Sequence, residues 1–298
     1  MLTVIGDLAE DIIVRRAGPL TRGDDNPATI HRTRGGSGAN VAAAAAGRVP
    51  VRFIGRVGDD AAGRSLVEEL RRCGVDVRVQ RAGVTATIVI IVDEAGERTM
   101  IPDRAAAAEL GAVDPAWLAD TSWLHLPLYG FLTEPSRTSL LGVLDVLRRD
   151  EAGPGVSVDL STASVLGRLG AHGLRDVLDR VAPDVVFANE AVAADTRFAG
   201  LADPAPTVVV TRGPAPVLLR VRGTAVEVPV PAVPQVADTT GAGDAFAAGY
   251  LEAAMQRQPP ASCAERGSLR AADVLVRGGP HRIAAPPGPS ATSPRSRH

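Results

Sequence analysis

The sequence contains no lysine, and each of its 32 basic side chains is an arginine. This absence excludes a Walker P-loop, which places a lysine on the phosphates, and a protein-kinase site, which needs a lysine on its third strand. It also excludes Schiff-base chemistry and a PLP anchor. Ala, Gly, Arg and Val dominate the composition, so codon usage explains the absence. Any site that handles phosphate must therefore use backbone N–H groups, arginine or a metal.

Aromatic residues, net charge and cysteine are also scarce. Aromatics make up 3% of the 298 residues and the net charge is −2, so nothing favours nucleic acid or an anionic membrane. Cys73 and Cys263 form no metal-ligand spacing, which predicts a reducing, cytoplasmic setting. The N-terminus turns acidic at once, unlike a signal peptide, and the longest β-like apolar run, 88–92, is too short to cross a bilayer.

Strand-like and helix-like segments alternate along most of the chain. Predicted strands are 2–5, 51–54, 85–92, 98–101, 122–126, 155–159, 184–187, 207–211 and 217–221, and predicted helices are 39–46, 63–73, 136–149, 165–180, 242–255 and 263–276. The alternation predicts an α/β fold with a mostly parallel sheet covered on both faces. A hairpin turning at 93–96, with segment 29–34, predicts a small β flap. Residues 284–298, rich in Pro, Ser and Arg, are predicted to form a disordered tail.

The strongest local motif lies at residues 238–246, where the small-residue loop Asp-Thr-Thr-Gly-Ala-Gly-Asp runs into an apolar helix. First-turn N–H groups have no intrahelical partner, so together with the helix dipole they form an anion site that needs no lysine. Asp244 stands in that turn, where a carboxylate can accept a proton from an attacking hydroxyl. The alternative interpretation is a favourable first-turn acid with no further role.

Two further motifs lie near the N-terminus. Residues 34–41, Arg-Gly-Gly-Ser-Gly-Ala-Asn-Val, again open a helix, but Val41 stands where the dinucleotide fingerprint needs glycine. This disfavours a dinucleotide-dependent oxidoreductase. Asn40 both donates and accepts, which suits a polyol. Residues 6–11, Gly-Asp-Leu-Ala-Glu-Asp, follow the first strand, where open α/β sheets bind ligands, although a solvated acidic turn would give the same pattern.

Together these motifs resemble the ribokinase family, the PfkB carbohydrate kinases, over about residues 2–280. Residues 35–40 resemble the N-terminal glycine signature, 55–63 the segment that follows it, 211–213 the nucleotide-contacting turn and 238–244 the C-terminal signature. The resemblance implies a three-layer αβα kinase domain over 1–283, with lid segments at about 12–34 and 84–102. It implies ATP-dependent phosphorylation of a hydroxyl on a sugar or nucleoside. In ribokinases the lid also pairs two subunits, which makes a homodimer one option.

The resemblance also implies residue roles. Asp244 would be the general base, and the N–H groups of Gly241, Ala242 and Gly243 would receive the transferring phosphoryl group. The residues implied to bind the substrate hydroxyls are Asp11, Gly36 and Asn40. The residues implied to line the ATP site are Asn189, Thr211 and Gly213. The residues that match a monovalent-cation site, for an ion such as K⁺, are Asp238 and Thr240.

The metal-binding segment departs from the family pattern. Relatives commonly carry Asn-x-x-Glu near the metal and phosphates, and here Val192 replaces the glutamate that would follow Asn189. Asn189 is expected to bind Mg²⁺ through a water, while Glu190 either compensates or is a surface acid. Two interpretations therefore stay open: an active kinase that uses ATP and Mg²⁺, and a catalytically weakened homologue that senses a sugar or nucleotide.

The sequence limits the classes of molecule that could accept the phosphoryl group, but it does not identify the acceptor. Ketodeoxygluconate kinases and fructokinases often place an arginine soon after the strand that here ends at Asp159, and none lies in 159–164, which disfavours an acidic sugar. No acid follows the strand near His125 where ribokinases have a glutamate, which disfavours D-ribose. Tyr129 and Phe131 either stack on a ring, favouring a nucleoside or an uncharged sugar, or close the core. Arg104 either meets an anionic substrate or is an ordinary exposed arginine.

Overall fold

A computed structural model of the protein describes residues 1–16, 18–94, 96–149, 153–201 and 204–277. The strands are β1 (Leu2–Ile5), β2 (Ala9–Arg16), β3 (Ala28–Gly35), β4 (Val51–Val57), β5 (Asp76–Arg81), β6 (Thr87–Val92), β7 (Arg98–Asp103), β8 (Trp123–Pro127), β9 (Gly155–Asp159), β10 (Val185–Asn189), β11 (Thr207–Arg212), β12 (Ala215–Val221) and β13 (Thr224–Val228). The helices are α1 (Ser37–Ala45), α2 (Ala61–Arg72), α3 (Ser136–Leu147), α4 (Ala163–Val181), α5 (Glu190–Ala194), α6 (Thr196–Ala199), α7 (Ala242–Met255) and α8 (Pro260–Arg277).

The main sheet has the strand order β13-β12-β11-β10-β9-β8-β1-β4-β5. The strands from β11 to β5 run parallel, and β12 and β13 extend that edge as antiparallel strands. In the central register Val4 lies opposite Phe53 on one side and His125 on the other. Parallel strands place their carboxyl ends at one edge, so the residues that follow β1, β9, β10 and β11 meet there.

Helices cover both faces of this sheet, which confirms the predicted three-layer α/β fold. One apolar cluster joins the sheet to α1, α2, α7 and α8, and a second joins it to α3, α4, α5 and α6. The run of alanines in α1 is buried, and α1 packs against α7. Small side chains allow two helices to approach closely. The amino ends of α1 and α7 therefore lie side by side.

A second sheet has the order β3-β2-β6-β7, with β2 parallel to β6 and the outer pairs antiparallel. The predicted flap and its β6–β7 hairpin are therefore present, and we call this second sheet the lid. The lid begins earlier than predicted: β2 starts at Ala9, so Asp11 lies within a strand and not in a turn. Its polar start, Ala-Glu-Asp, lacks the alternation that marks a strand.

Two edge strands, β5 and β13, escaped prediction. Each alternates for five or six residues and leaves part of its length exposed, so its apolar signal is weak. Helix α4 is broken at Gly170, which has a φ of 69°. The predicted tail at 284–298, the end of the predicted domain beyond Arg277 and residue 95 of the predicted turn lie outside the described residues. Within those residues, each helix is too short or too polar to span a bilayer.

Candidate active site

A cavity of about 630 Å³ opens at the carboxyl edge of the main sheet, beneath the lid. Its polar floor brings together residues that are far apart in the sequence, among them Asp7, Asp11, Asn40, Asp159, Asn189 and Asp244. Ile88, Met100 and Pro102 reach it from the lid. A second cavity, also about 630 Å³, adjoins the first and shares Thr211, Thr239, Gly243 and Phe246 with it. We call the first the main cavity and the second the apolar cavity.

Asp244 lies in the first turn of α7 at the floor of the main cavity. Ser37 Oγ donates to its Oδ1 at 2.7 Å, and Asn40 Nδ2 donates to its Oδ2 at 2.9 Å. Burial raises the pKa of Asp244 to about 7, with help from the charges of Asp159 and Asp7 and against the two hydrogen bonds. A carboxylate with a pKa near neutrality, held by two donors, is suited to accept a proton from a bound hydroxyl.

Behind Asn40 lies Arg34, which is 1% exposed. Its Nη1 donates to Asn40 Oδ1 at 2.9 Å, and its Nε lies 3.5 Å from Glu69 Oε1 on α2. Burial lowers the pKa of the Arg34 guanidinium, and the Glu69 charge acts against that shift. Asn40 thus accepts from Arg34 and donates to Asp244, so both ends of its amide are engaged.

Asp7 and Asp11 also line the main cavity, and each is 7% exposed. Asp7 follows β1, and its Oδ1 accepts from the Gly38 N–H at 3.2 Å. Asp11 Oδ1 has no hydrogen-bond partner among the described residues. Burial and the Asp7 charge raise the pKa of Asp11 to about 7, against the charge of Arg34. A buried oxygen without a partner is costly, and a ligand hydroxyl would satisfy it.

The glycine pair at 35–36 leaves space for these carboxylates. A Cβ at Gly35 would lie 1.9 Å from Asp11 Oδ1. Gly36 has a φ of 95°, and a Cβ there would lie 2.4 Å from the Asp7 carbonyl oxygen. Gly36 therefore needs glycine for its backbone conformation as well as for space. Its predicted place in the acceptor site is thus filled by backbone alone.

Arg104 and Tyr129 line the same end of the main cavity. Arg104 Nη1 donates to Asp7 Oδ2 at 3.1 Å, and its Cζ lies 3.6 Å from the centroid of the Tyr129 ring. Arg104 is therefore a paired arginine inside the cavity, stacked on an aromatic face. That face of Tyr129 is covered, while Phe131 is 1% exposed and belongs to the core. His125 is fully buried against Ser157, and burial lowers its pKa to about 3, so it stays neutral.

The predicted anion hole lies where α7 begins, at Gly241 in the left-handed region with a φ of 73°. The Ala242 N–H donates to the Thr239 carbonyl at 3.3 Å. Within the described ranges, no acceptor is found for the N–H groups of Gly241, Gly243 and Asp244. Free N–H groups at the positive end of a 14-residue helix form a site for an anion.

Asp238 and Thr240 match a monovalent-cation site, and Asp238 contacts two arginines of the lid. Asp238 Oδ1 accepts from the N–H and the Oγ1 of Thr240, both at 2.7 Å, and from Arg98 Nη2. Arg15 Nη2 lies 4.0 Å from Asp238 Oδ2. Burial acts to raise the pKa of Asp238, but the Thr240 hydrogen bonds and Arg98 outweigh it and hold the pKa below its usual value. The Arg98 guanidinium therefore already pairs with the Asp238 carboxylate that a monovalent cation would need.

Asn189, at the end of β10, caps α5: its Oδ1 accepts from the Val192 N–H at 2.9 Å, and its Nδ2 donates to the Ser161 carbonyl at 3.1 Å. Val192 is fully buried. Glu190 is exposed and lines neither of the two cavities. Asp159 does line the main cavity, and burial raises its pKa to about 6 against a hydrogen bond from the Ser161 N–H.

These oxygens fit a hydrated Mg²⁺ better than a fully protein-bound metal. Among the described residues no group of three or more His, Cys, Asp or Glu side chains is arranged to hold a metal ion. Mg²⁺ usually keeps several waters and binds one or two carboxylates together with substrate phosphates. Asp159 offers one such carboxylate on the main cavity, and the Asn189 amide oxygen, which also accepts from the Val192 N–H, lies on the same cavity.

The apolar cavity is lined mainly by Val, Pro and Ala side chains from the 230–236 segment and α8, with Thr211 and Gly213 also on its wall. The Ser268 hydroxyl also lines it, but donates to the Ala264 carbonyl at 2.9 Å within α8. Apolar walls with a few polar groups are typical of small-molecule sites. A flat, weakly polar ring such as a nucleobase fits this lining.

Several cavity residues were not predicted. Asp7 lay within the acidic motif without being assigned a role, and Ser37 lay within the glycine motif. Arg168 lines the main cavity from α4, beyond the 159–164 window searched for an arginine. Arg98 had no signal of its own, because its contact with Asp238 joins positions 140 residues apart.

The sequence is similar to those of known carbohydrate kinases. A family model described as "pfkB family carbohydrate kinase" matches residues 1–284. The chain is 35% identical over 267 residues to a fructokinase of Klebsiella pneumoniae, covering 83% of this chain and 82% of that protein. It is 32% identical over 245 residues to an ATP-dependent ribose-1-phosphate kinase of Halopiger xanaduensis, covering 76% of each.

Solved structures show the same fold. An adenosine kinase from Sinorhizobium meliloti superposes with a TM-score of 0.80 at 24% identity, covering 95% of this chain and 96% of that one. A ribokinase from Thermotoga maritima gives a TM-score of 0.77 at 23% identity, covering 94% of each. At such identities the likeness concerns the fold alone.

Proposed function

This chain belongs to the pfkB family of carbohydrate kinases, and we propose that it transfers the terminal phosphoryl group of ATP to a hydroxyl of an uncharged sugar, with Asp244 as general base. A kinase of this family phosphorylates an alcohol group on a sugar or related small molecule. The observation that carries the residue assignment is the position of Asp244. It is held by Ser37 and Asn40 and lies directly beside the free N–H groups of Gly241 and Gly243.

The proposed chemistry follows from that arrangement. A sugar hydroxyl beside Asp244 gives its proton to the carboxylate as it attacks the phosphoryl group. The N–H groups at the start of α7 stabilise the negative charge on the transferring oxygens. The nucleobase occupies the apolar cavity, beside Thr211 and Gly213. Mg²⁺ would be held by the ATP phosphates and, through water, by Asp159 and Asn189, and it supplies charge neutralisation.

The acceptor that the site fits best is a free ketose or aldose such as fructose. Asp7 and Asp11 offer carboxylate oxygens, and Asp11 Oδ1 lacks a partner. Arg104 is paired with Asp7 and covers the Tyr129 ring, so neither a sugar phosphate nor a stacked base finds its complement there. The 35% identity to a fructokinase supports the same acceptor class.

An acceptor screen tests this proposal. Purified protein with ATP and Mg²⁺ is assayed for ADP release against fructose, ribose, ribose-1-phosphate, ketodeoxygluconate and adenosine, and the product is identified by mass. We expect the highest kcat/KM with a free sugar. Preference for ribose-1-phosphate or adenosine would overturn the acceptor assignment. No turnover, together with thermal stabilisation by ATP and a sugar, would support the sensor instead.

Oligomeric state and setting are part of the same proposal. Ile30 and Ile101 are exposed on the same face of the lid, which supports pairing of two lids. A kinase that consumes ATP is expected in the cytoplasm. Light scattering after gel filtration measures the assembly, and we expect a dimer that Ile101→Glu converts to a monomer.

A further inference from the structure

The amide of Asn40 presents two chemically different ends, and in this site each end faces a different charged group. Its Oδ1 lies 2.9 Å from Arg34 Nη1, and its Nδ2 lies 2.9 Å from Asp244 Oδ2. An arginine can only donate, and an ionised carboxylate can only accept. With both neighbours in place, one orientation of the amide satisfies both contacts. The opposite orientation places oxygen against carboxylate and NH₂ against guanidinium.

We propose that Arg34 is a positioning residue for phosphoryl transfer, which acts by fixing the Asn40 amide so that it donates to Asp244. The proposal rests on the proposed function, because it assumes Asp244 to be the base. Without Arg34, no described hydrogen bond to Asn40 Oδ1 remains to set the amide orientation. A flipped amide would repel the Asp244 carboxylate and move it away from an acceptor hydroxyl.

The surroundings of Arg34 support a role in positioning. The side chain is 1% exposed and does not line the main cavity, so it acts only through a neighbour. Its Nε has no hydrogen-bond partner among the described residues, although Glu69 Oε1 lies 3.5 Å away. Removal of one partner from a buried charged contact destabilises the fold, so the role of Arg34 in positioning is measured by kcat and not by stability. Among the described residues, the hydrogen bond that the Arg34 side chain makes is the one to Asn40.

A relay from Glu69 through Arg34 and Asn40 thus leads from the surface of α2 to the base. Glu69 holds the guanidinium on one side, and Asn40 meets it on the other. Asn40 and Ser37 both come from α1, so one helix supplies both donors to Asp244. Arg34, at the end of β3, ties this helix start to the lid strand.

A double-mutant cycle tests the proposal with the variants Arg34→Met, Asn40→Ala and the two combined. Methionine keeps apolar length and removes every donor. We expect Arg34→Met to lower kcat about 10- to 100-fold, because small misplacement of a reacting group has effects of that size. The KM for ATP should change less than about twofold, since Arg34 touches neither cavity. The double variant should be no slower than Asn40→Ala alone, because Arg34 acts through Asn40.

The matched control is Arg52→Met. Arg52 is also a buried arginine, 8% exposed, and it donates to Asp76 and to the Trp117 and Ala119 carbonyls at the opposite edge of the sheet. It should lose stability as Arg34→Met does, while keeping kcat. Additive losses in the cycle, or equal kcat for the two arginine variants, would overturn the proposal. If Arg34→Met does not fold, Arg34→Leu, which also removes every donor, replaces it in the same cycle.

Asp244→Asn, measured in the same series, distinguishes failure of the base assignment from failure of the role of Arg34. Turnover close to wild type in Asp244→Asn would refute the base assignment and with it the proposed function. Loss of activity in Asp244→Asn, with normal kcat in Arg34→Met, would refute only the role of Arg34. Folding of every variant is checked by its thermal unfolding temperature.

Discussion

In the proposed function, the acceptor end of the main cavity, around Asp11 and Asp244, is lined by buried carboxylates. The phosphate end, around residues 238–243, is lined mainly by backbone N–H groups and hydroxyls. At the acceptor end, burial raises the pKa values of Asp11 and Asp244 to about 7. At the phosphate end, Asp238 keeps a lowered pKa because Thr240 and Arg98 surround it. One end thus holds acids that can exchange protons near neutral pH, and the other holds an acid fixed in its ionised form.

This contrast indicates how the chain handles phosphate without lysine. In the proposed function, the negative charge of the nucleotide meets the N–H groups at the start of α7 and arginines from the lid and α4. In the proposed function, Asp7 and Asp11 on the same cavity bind the acceptor.

The largest effect is expected from Asp244→Asn. The amide keeps the shape of the side chain but cannot take a proton, so kcat should fall about 10²- to 10⁴-fold. Steady-state kinetics with the sugar found in the screen measures this. The thermal unfolding temperature should not fall, because the variant also removes a partly buried charge. ATP should still bind to the variant. A loss of ATP affinity in titrations would contradict the assignment of Asp244 to the acceptor hydroxyl.

Lowering the pH should reduce kcat by protonating Asp244, and this effect should be smaller than that of Asp244→Asn. The base is active when deprotonated, so kcat should rise about tenfold per unit up to a pKa of about 7 and level off above it. Activity at pH 5 should therefore be about 10²-fold below the plateau. A pH series in buffers of constant ionic strength measures the profile. A flat profile between pH 5 and 8 would show that Asp244 does not titrate there.

Asp11→Asn should weaken binding of the acceptor sugar and stabilise the fold. The folded-state pKa of Asp11 is raised to about 7, so at pH 8 the wild type holds a buried ionised oxygen without a partner. Removal of that charge should raise the free energy of unfolding by about 1–3 kcal/mol at pH 8. At pH 5, where Asp11 is already protonated, the gain should shrink. Urea unfolding at both pH values measures it, with a rise of about tenfold in sugar KM expected alongside.

The smallest effect is expected from Arg98→Ala at the phosphate end. In the wild type the guanidinium already neutralises Asp238, so K⁺ should change kcat by less than about twofold. The variant frees the carboxylate, and K⁺ should then restore part of a loss of a few fold. Assays in K⁺ and in the larger tetramethylammonium ion measure the difference. Strong K⁺ activation of the wild type would contradict the assignment of Arg98.

Local patterns in the sequence predicted the main features of both ends. The glycine loops at 35–38 and 241–243 mark helix starts, and those helix starts lie on the main cavity. What escaped prediction depends on contacts between distant segments. Arg104 meets Asp7 across 97 positions, and no periodicity indicates such a pair. The edge strand β5 was missed because it is short and half polar, not because its contacts are unusual.

The donors to Asp244 lie 207 and 204 positions earlier in the chain. A translation product that stops before α7 therefore contains Ser37 and Asn40 but no base, and one that starts after α1 contains the base without its donors. Neither part performs the reaction alone. In the proposed function, phosphoryl transfer therefore reports that α1 and α7 have both been synthesised and have docked together.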